Sequence, residues 1–429
     1  MPYAASPQTK PSALSAGLMN ASVLLYTLWL LLPALQTTGG AAAGVFCIAL
    51  FALGVALDSA YLQCRWVDFL FRALSAAALP LIFWFFLRRG GSNFWGYYVQ
   101  QGMFWFPLLY CAYAKNRQDP RLWRFLFATV GICMVITTLT TTGWLIEGIL
   151  RGDRIYAYSR SLGSGEPNRE VYLKELMLRN IGGYDFVYAT ALSLPVTCYL
   201  MRRCQGVKRA GLLVFALIQL GMVALSQYTY ALIFAAGILA LEGMATFFRF
   251  LSQKLWKRSL GMEVSLLWGL LPFVLLFLLR IPLLSWAVSF CEGTGFANLA
   301  YSLRQLLILL TEGAADAASR LDYYRLPLAG IQTSPLIGSL AGAPFLLSQH
   351  SDMLDLLSGM GILGGLLVCV LIAHIGRGLF RKISVFTRPH LILQWIVFLG
   401  CTLFGTVLYS RDISLILCIS ALLSSCEET

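Results

Sequence analysis

A chain of 429 residues in which 58% of the side chains are hydrophobic and only 12% are charged lies outside the composition of soluble globular proteins. Its mean hydropathy of +0.73 indicates a polytopic membrane protein. The net charge of +12 comes with no basic, aromatic-interleaved module that could hold a nucleic-acid strand, so a DNA or RNA role is excluded.

Apolar runs recur along the whole chain at the length of about 20 residues that crosses a hydrocarbon layer about 30 Å thick. The runs are too long and too continuous for the alternating pattern of a barrel, so we predict an all-α, polytopic transmembrane helical bundle. We predict about twelve spans, near residues 18–35, 40–59, 66–87, 94–113, 122–148, 181–201, 211–227, 229–248, 264–288, 353–375, 391–409 and 413–426.

The distribution of Lys and Arg predicts the orientation of these spans. Cationic clusters near 115–124, 202–209, 249–258 and 377–388 all fall on one side if the spans alternate. The positive-inside rule makes that side cytoplasmic and places both termini there, although Arg88–Arg89 would then lie outside. We interpret the first apolar run as an uncleaved helix and residues 1–429 as a single integral-membrane domain.

Two predicted external segments are longer than the other connections: a smaller loop at 151–180 and a large loop at 291–351, between spans nine and ten. The smaller loop contains a predicted amphipathic helix at 170–178. The large loop contains an amphipathic stretch at 299–310 and a helical stretch at 314–324. Most of the eleven cysteines fall within spans, and no Cys and His spacing fits a zinc site, so we expect no external disulfide framework, no metal and no cofactor.

Arginines concentrate in these external loops although the positive-inside rule disfavours cations there. Arg160 lies in the smaller loop, and Arg304, Arg320 and Arg325 lie in the large one. A planar guanidinium is suited to bidentate capture of phosphate oxygens, so the pattern predicts an anionic ligand. The alternative is that these arginines are solvated surface charges or interfacial anchors.

Two further ionisable residues lie near the outer ends of predicted spans. Arg280 falls within the ninth span, where a charged side chain is a functional candidate by default. Asp185, near the outer end of the sixth span, is either its partner or a separate acid.

His350 is the one histidine of three that this topology places outside, and it opens the tenth span. An imidazole is the natural proton acceptor near neutral pH. A lone histidine at an interface is more often structural, and the glycines that follow it also permit plain close packing of helices.

The residues after His350 carry a resemblance to a known family. His350 and Ser351, followed after nine residues by Gly361 and then by Gly364, match the pattern H-[N/S/Q]-x9-G-x2-[G/T/Y] of the bacterial O-antigen ligases. Those enzymes belong with the O-antigen and polysaccharide polymerases in one superfamily of membrane glycosyltransferases.

The order of the preceding parts also resembles that superfamily. Its large periplasmic loop carries an arginine followed by an aromatic residue, then a P-L-x-G turn, then the histidine. Arg320 with Tyr323, and then Pro335 to Gly338, occupy the corresponding places. Ligases carry an R-x3-L motif near the loop between spans seven and eight, whereas residues 226–231 read SQYTYA. Arg169 to Leu173 fits R-x3-L in a different loop, so the polymerase branch is favoured.

The resemblance implies inverting glycosyl transfer from an undecaprenyl-diphosphate-linked oligosaccharide, on the outer side of the cytoplasmic (inner) membrane of a bacterium. His350 and Arg320 would be catalytic, with His350 accepting the acceptor hydroxyl's proton and Arg320 stabilising the departing diphosphate. The candidate substrate-binding residues are Arg325, Arg304, Arg280, Tyr323, Asp185 and Arg160. The implied partners are the lipid-linked saccharide, membrane lipid, a chain-length regulator and a flippase.

Four alternatives stay open at this point. A ligase would transfer the glycan to a different lipid or another acceptor. A transporter or flippase for lipid-linked oligosaccharide would use the same cations, and it predicts two pseudo-symmetric halves with interrupted helices. A membrane scaffold would bind a protein partner through the loops, and a peptidoglycan polymerase would act on other lipid-linked sugars.

Overall fold

The computed structural model describes residues 13–57, 120–151, 169–256, 264–265, 278–311, 320–341, 350–380, 387–405, 407–408 and 410–422. Every regular element in these ranges is helical. The α-helices are α1 (Ala13–Leu31), α2 (Pro33–Ala56), α3 (Pro120–Leu150), α4 (Arg169–Leu178), α5 (Tyr184–Arg203), α6 (Gly206–Leu225), α7 (Thr229–Trp256), α8 (Arg280–Gly293), α9 (Ala297–Thr311), α10 (Arg320–Thr333), α11 (Asp352–Phe380), α12 (Arg388–Phe404) and α13 (Arg411–Leu422). A short 3₁₀ turn, Gly338–Ala341, lies between α10 and α11.

Five of the described helices are long and apolar enough to cross a membrane, as expected of a multi-pass helical membrane protein. They are α1, Phe125–Leu150 of α3, α6, Thr229–Lys254 of α7 and Asp352–Val370 of α11. The expectation of about twelve spans stays a prediction, because the predicted spans at 66–87 and 94–113 and residues 266–277 of the one at 264–288 lie outside the described residues.

The outward faces of these helices carry large apolar side chains. On α3, Ile132 is 60% exposed and Leu139 is 47% exposed. A continuous apolar surface of this kind marks contact with lipid or with another protein rather than with water. The exposed apolar faces are therefore those expected of a helical bundle that is surrounded by lipid.

Helix α5 is the centre of the bundle, and it packs against α6, α7, α12 and α13. Its own polar side chains are satisfied inside the protein. The Gln219 side-chain amide on α6 donates to Ser193 Oγ at 2.8 Å, and the Thr197 hydroxyl donates to Gln219 Oε1 at 3.1 Å. Neighbouring helices shield α5 from lipid, which is why this helix can be more polar than those around it.

Several predicted helix bounds can be compared with the structure. Helix α4 confirms that residues 170–178 are helical, and α9 shows that the stretch predicted at 299–310 is helical. The predicted first span runs on to residue 35, but α1 ends at Leu31 because Leu32 is extended and Pro33 opens α2.

The helical stretch predicted at 314–324 ends too early. Residues 314–319 lie outside the described part of the chain, and α10 continues nine residues further, from Tyr324 to Thr333. Pro327 lies inside that helix and supplies no amide hydrogen. Pro327 is buried and α10 packs against α11, so tertiary packing outweighs the missing hydrogen bond.

Candidate functional site

The first element of the candidate site is a contact between α10 and the residue that precedes α11. The rings of Tyr323 and His350 lie 4.6 Å apart between centroids, with an interplanar angle of 57°. His350 is partly buried, whereas Tyr323 is 43% exposed. Arg320 opens α10 one turn before Tyr323, which places its backbone within about 5 Å of axial rise from the contact. The side chain of Arg320 lies outside the described part.

Ser351 fixes the start of α11 directly after His350. Its hydroxyl oxygen accepts the Leu354 amide at 3.3 Å, and its carbonyl accepts the Asp355 amide at 2.9 Å. This is the geometry of a serine N-cap, and Ser351 itself is fully buried. The Ser351 of the sequence motif therefore has a structural role, since it sets the direction in which the chain leaves His350.

The P-L-x-G turn docks into a break in α11. Gly361 has non-helical dihedrals (φ 65°, ψ −175°), which interrupt the ladder of hydrogen bonds within the helix. The Ile362 amide donates instead to the Pro335 carbonyl at 2.9 Å, and the Leu363 amide donates to the Leu336 carbonyl at 3.0 Å. The two sequence motifs, Pro335 to Gly338 and Gly361, are thus parts of one packed unit.

The break also interrupts the bonding of carbonyls within α11, and the 3₁₀ turn at Gly338–Ala341 binds one of these carbonyls. The Ser339 hydroxyl donates to the Gly359 carbonyl at 2.9 Å, and Ser339 is 4% exposed. Gly364 acts differently, since a Cβ there would lie 2.5 Å from Cβ of Met360, one turn earlier on the same helix. Its lack of a side chain leaves room for the fully buried Met360.

Asp352 ties the start of α11 to the connection between α12 and α13. One of its carboxylate oxygens accepts the Leu408 amide at 2.8 Å, and its own amide donates to the Gly405 carbonyl at 3.2 Å. Asp355, one turn further on, is completely buried. Neither acid is among the predicted site residues, although two aspartates within the first turn of an apolar span were a signal present in the sequence.

A tyrosine cluster lies at the same end of the bundle. The Tyr184 ring lies 4.8 Å from that of Tyr188 and 5.1 Å from that of Tyr228. A Cβ on Gly405 would lie 3.1 Å from the Tyr184 hydroxyl, so the cluster adjoins the connection that Asp352 holds. Asp185, next to Tyr184 in the first turn of α5, is partly buried beside this cluster.

The remaining predicted binding residues are more scattered. Arg304 on α9 forms an ion pair with Glu292 of α8, and both side chains are about half exposed. Arg325 is exposed on α10, and Arg280 is the first residue of α8. Arg160 lies outside the described residues, and the pairing of Arg280 with Asp185 stays a prediction.

A second polar cluster, which sequence analysis missed, lies toward the opposite ends of α5 and α7. Glu242 on α7 is 3% exposed; one of its carboxylate oxygens lies 2.6 Å from Nδ1 of His390, and the other accepts from Arg202 at 2.6 Å. Arg202 also donates to the Thr246 hydroxyl at 2.8 Å. A buried glutamate in a membrane-spanning helix was the signal available in the sequence.

Aromatic contacts extend this second cluster. The Tyr199 ring lies edge-on to His390 at 5.4 Å, and the Arg203 side chain donates to the Tyr199 hydroxyl at 3.2 Å. The cluster joins α5, α7 and α12 at the end of the bundle that carries the predicted cytoplasmic arginines.

Within the described residues, no group of three His, Cys, Asp or Glu side chains is arranged to hold a metal ion. The described cysteines are free thiols.

Comparison with known proteins found no matching family model, no matching curated protein and no matching solved structure.

Proposed function

We propose that this chain is a membrane glycosyltransferase that polymerises undecaprenyl-diphosphate-linked oligosaccharide units on the outer side of the bacterial cytoplasmic membrane. The observation that carries the proposal is the 4.6 Å contact between Tyr323 and His350. It joins two motifs that the resemblance places in one active site and that lie 27 positions apart in the sequence. Because Arg320 precedes Tyr323 by one helical turn, the same contact brings the start of α10 beside His350.

The chemistry uses one base and at least one cation. The acceptor sugar hydroxyl attacks the anomeric carbon, a new C–O bond forms, and the bond to the diphosphate oxygen breaks with its electron pair. His350 takes the hydroxyl proton, while Arg320 and Arg325 stabilise the charge that grows on the departing diphosphate. The diphosphate is already an activated leaving group, so this mechanism needs no cofactor.

The packing of α10 against α11 supports the proposal, because it fixes the backbone of the two segments that carry these residues. Ser351 caps α11 immediately after His350, and the Pro335–Gly338 turn locks the far end of α10 against Gly361. The Tyr323–His350 contact lies near the start of α10 and the docked turn follows its end, so α10 is held beside α11 along its length. A site built on anchored helices can keep a base and a cation within the narrow geometry that catalysis requires.

The test is glycan extension by the purified full-length chain, with a synthetic prenyl-diphosphate oligosaccharide as substrate. The wild type should give a ladder of longer lipid-linked glycans, and His350→Ala and Arg320→Ala should each lower the rate by about 10²-fold or more. The matched control is Arg179→Ala, because Arg179 is 54% exposed and pairs across one helical turn with Glu175. It should extend glycans at the wild-type rate.

The products and variants decide between the proposal and its alternatives. Unchanged rates in both His350→Ala and Arg320→Ala would remove the assigned site. A single transfer to a different lipid acceptor would make the chain a ligase.

Two described helices are interrupted, α11 at Gly361 and α2 at Gly40, and these breaks favour a flippase because broken helices are common in transporters. In transporters, however, the unwound backbone faces the cargo. Here the Ile362 and Leu363 amides are occupied by the docked turn. Movement of the lipid-linked substrate across vesicles without any bond formation would establish the flippase instead.

A further inference from the structure

The outer ends of several helices meet at one level, and Asp352 marks that level. Its amide and carboxylate bind Gly405 and Leu408, which connect α12 to α13. The first residue of α5, Tyr184, adjoins Gly405, and its ring also contacts Tyr228, which directly precedes α7. The starts of α5, α7, α11 and α13 and the end of α12 therefore define one end of the bundle.

The docked turn lies well below this level. Gly361 is nine residues after Asp352 in α11, which corresponds to about 14 Å along a helix. Because Pro335 and Leu336 bond directly to the residues after Gly361, the tip of the 320–341 segment reaches the same depth. Helix α10 descends from Tyr323, beside His350, to this tip, so it runs alongside the first half of α11.

The apolar surface around the tip is continuous with the outer face of α11. Leu336 is 61% exposed and Ile337 is 42% exposed. Immediately beside them, Ile362 is 44% exposed and Leu363 is 56% exposed. Ile362 and Leu363 belong to a candidate membrane-spanning helix whose 18 residues from Leu356 to Ala373 carry no charge. Whatever surrounds this face of α11 therefore also surrounds the tip of the 320–341 segment.

Several polar groups at the tip bond within the protein, as irregular backbone at membrane depth requires. The Pro335 and Leu336 carbonyls accept from α11, and the Gly338 amide donates to the Ser334 carbonyl at 3.0 Å. The Thr333 hydroxyl donates back to the Ala329 carbonyl at 2.8 Å. Each of these bonds removes a group that would otherwise need water.

We propose that residues 326–341 form a re-entrant membrane element, whose tip at Leu336 and Ile337 is seated among the acyl chains of the outer leaflet. The predicted 291–351 loop is then not wholly aqueous: it enters the bilayer through α10 and returns to His350. Lipid is the partner, because the exposed tip is apolar, continuous with the lipid-facing side of α11 and deep below the outer end of the bundle. This inference needs only the membrane-spanning helices and stands whether or not the chain transfers sugars.

The first test is thiol accessibility in nanodiscs of phosphatidylcholine, where both membrane faces are open to reagents. Leu336→Cys, Ile337→Cys and Arg325→Cys each introduce a thiol at an exposed position of one segment. A charged maleimide reacts with thiolate, which forms in water and not in hydrocarbon. We expect Arg325→Cys to gain label above the unsubstituted chain, and the two tip variants to gain it only after detergent is added. Rapid labelling of both tip thiols in nanodiscs would place the tip in water and overturn the proposal.

The second measurement separates lipid from a protein that covers the tip. A bimane fluorophore on the thiol of the Leu336→Cys or the Ile337→Cys variant, attached in detergent before reconstitution, is quenched on contact with a nitroxide. In nanodiscs that hold one copy of the chain, phosphatidylcholine with the nitroxide midway along its acyl chain should quench it more than lipid with the nitroxide on the headgroup. Equal quenching would mean a surface position, and no quenching by either lipid would mean that protein covers the tip; both results would refute insertion.

Discussion

Gly338 and Gly361 pack backbone against backbone, so closely that a Cβ on Gly338 would lie 2.6 Å from the Gly361 nitrogen. Both residues have positive φ, 58° and 65° respectively. Positive φ is a conformation that glycine adopts at little cost and that other residues adopt with strain. The contact lets two amides of α11 reach two carbonyls of the turn, and so fixes where α10 ends relative to the helix that follows His350.

Substitution of Gly361 by alanine should therefore destabilise the protein. A Cβ there would lie 2.3 Å from the Leu336 carbonyl carbon, and the left-handed backbone alone costs about 1–3 kcal/mol for a residue with a side chain. We expect a lower thermal midpoint in detergent and a lower yield of folded protein. The control is Gly237→Ala, because the Cβ at that position in α7 meets no atom within 4 Å. Equal midpoints for the two variants would show that the docked turn does not stabilise the fold.

The buried cluster around Glu242 predicts a second stability effect. Glu242→Gln removes the carboxylate that contacts both Arg202 and His390, whose side chains are 18% and 3% exposed. Loss of one partner from a buried ion pair costs about 3–5 kcal/mol, because the other charge stays buried. The thermal midpoint in detergent should fall clearly below that of wild type.

The exposed pair on α4 supplies the matched control for Glu242. Glu175→Gln removes the same charge from a pair with Arg179, but both of its side chains are more than half exposed. Exposed pairs of this kind contribute about 0–1 kcal/mol. If Glu242→Gln were no more harmful than Glu175→Gln, the buried cluster would have no role in stability.

The sequence predicted the helical class and the membrane character, since both follow from composition and from the length of apolar runs. It also predicted the short helices at 170–178 and 299–310, whose periodicity is local. It brought Tyr323, His350 and the turn at Pro335 into one hypothesis through a resemblance between motifs. The contact between the two rings depends on tertiary packing, so no local sequence pattern predicts it.

Other features could not be read from the sequence for physical reasons. The glycines after His350 allow close helix packing and also match a family motif, but neither pattern indicates that Gly361 alone of them breaks the helix, because the break depends on the turn that fills it. The partners of Glu242 lie 40 and 148 positions away in the sequence. A buried charge shows in the sequence as an interruption of an apolar run, whereas its partners emerge only when the helices pack.

Asp352→Ala should loosen the outer end of the bundle. The variant would leave the buried Leu408 amide without the carboxylate that accepts from it at 2.8 Å. An unsatisfied buried amide costs about 1–3 kcal/mol. Hydrogen exchange measured by mass spectrometry should show faster exchange in the 405–410 connection and in the first turn of α11. If exchange rose equally throughout the chain, the effect would be global and the proposed local link would be wrong.

Two replacements of Tyr323 distinguish the role of its ring from the role of its hydroxyl. Aromatic contacts of this type contribute about 0.5–1.5 kcal/mol, so Tyr323→Ala should weaken the positioning of the His350 imidazole while Tyr323→Phe should keep it in place. The chain has three histidines, so the imidazole signals can be assigned by NMR of histidine-labelled protein with His350→Gln as reference. The His350 signal should move in Tyr323→Ala and stay close to wild type in Tyr323→Phe.

In the glycan-extension assay, the same ring contact predicts a rate loss of about 2- to 12-fold for Tyr323→Ala alone. An equal loss in both variants would instead assign the tyrosine hydroxyl to the substrate, and no shift of the His350 signal in either variant would refute the contact itself.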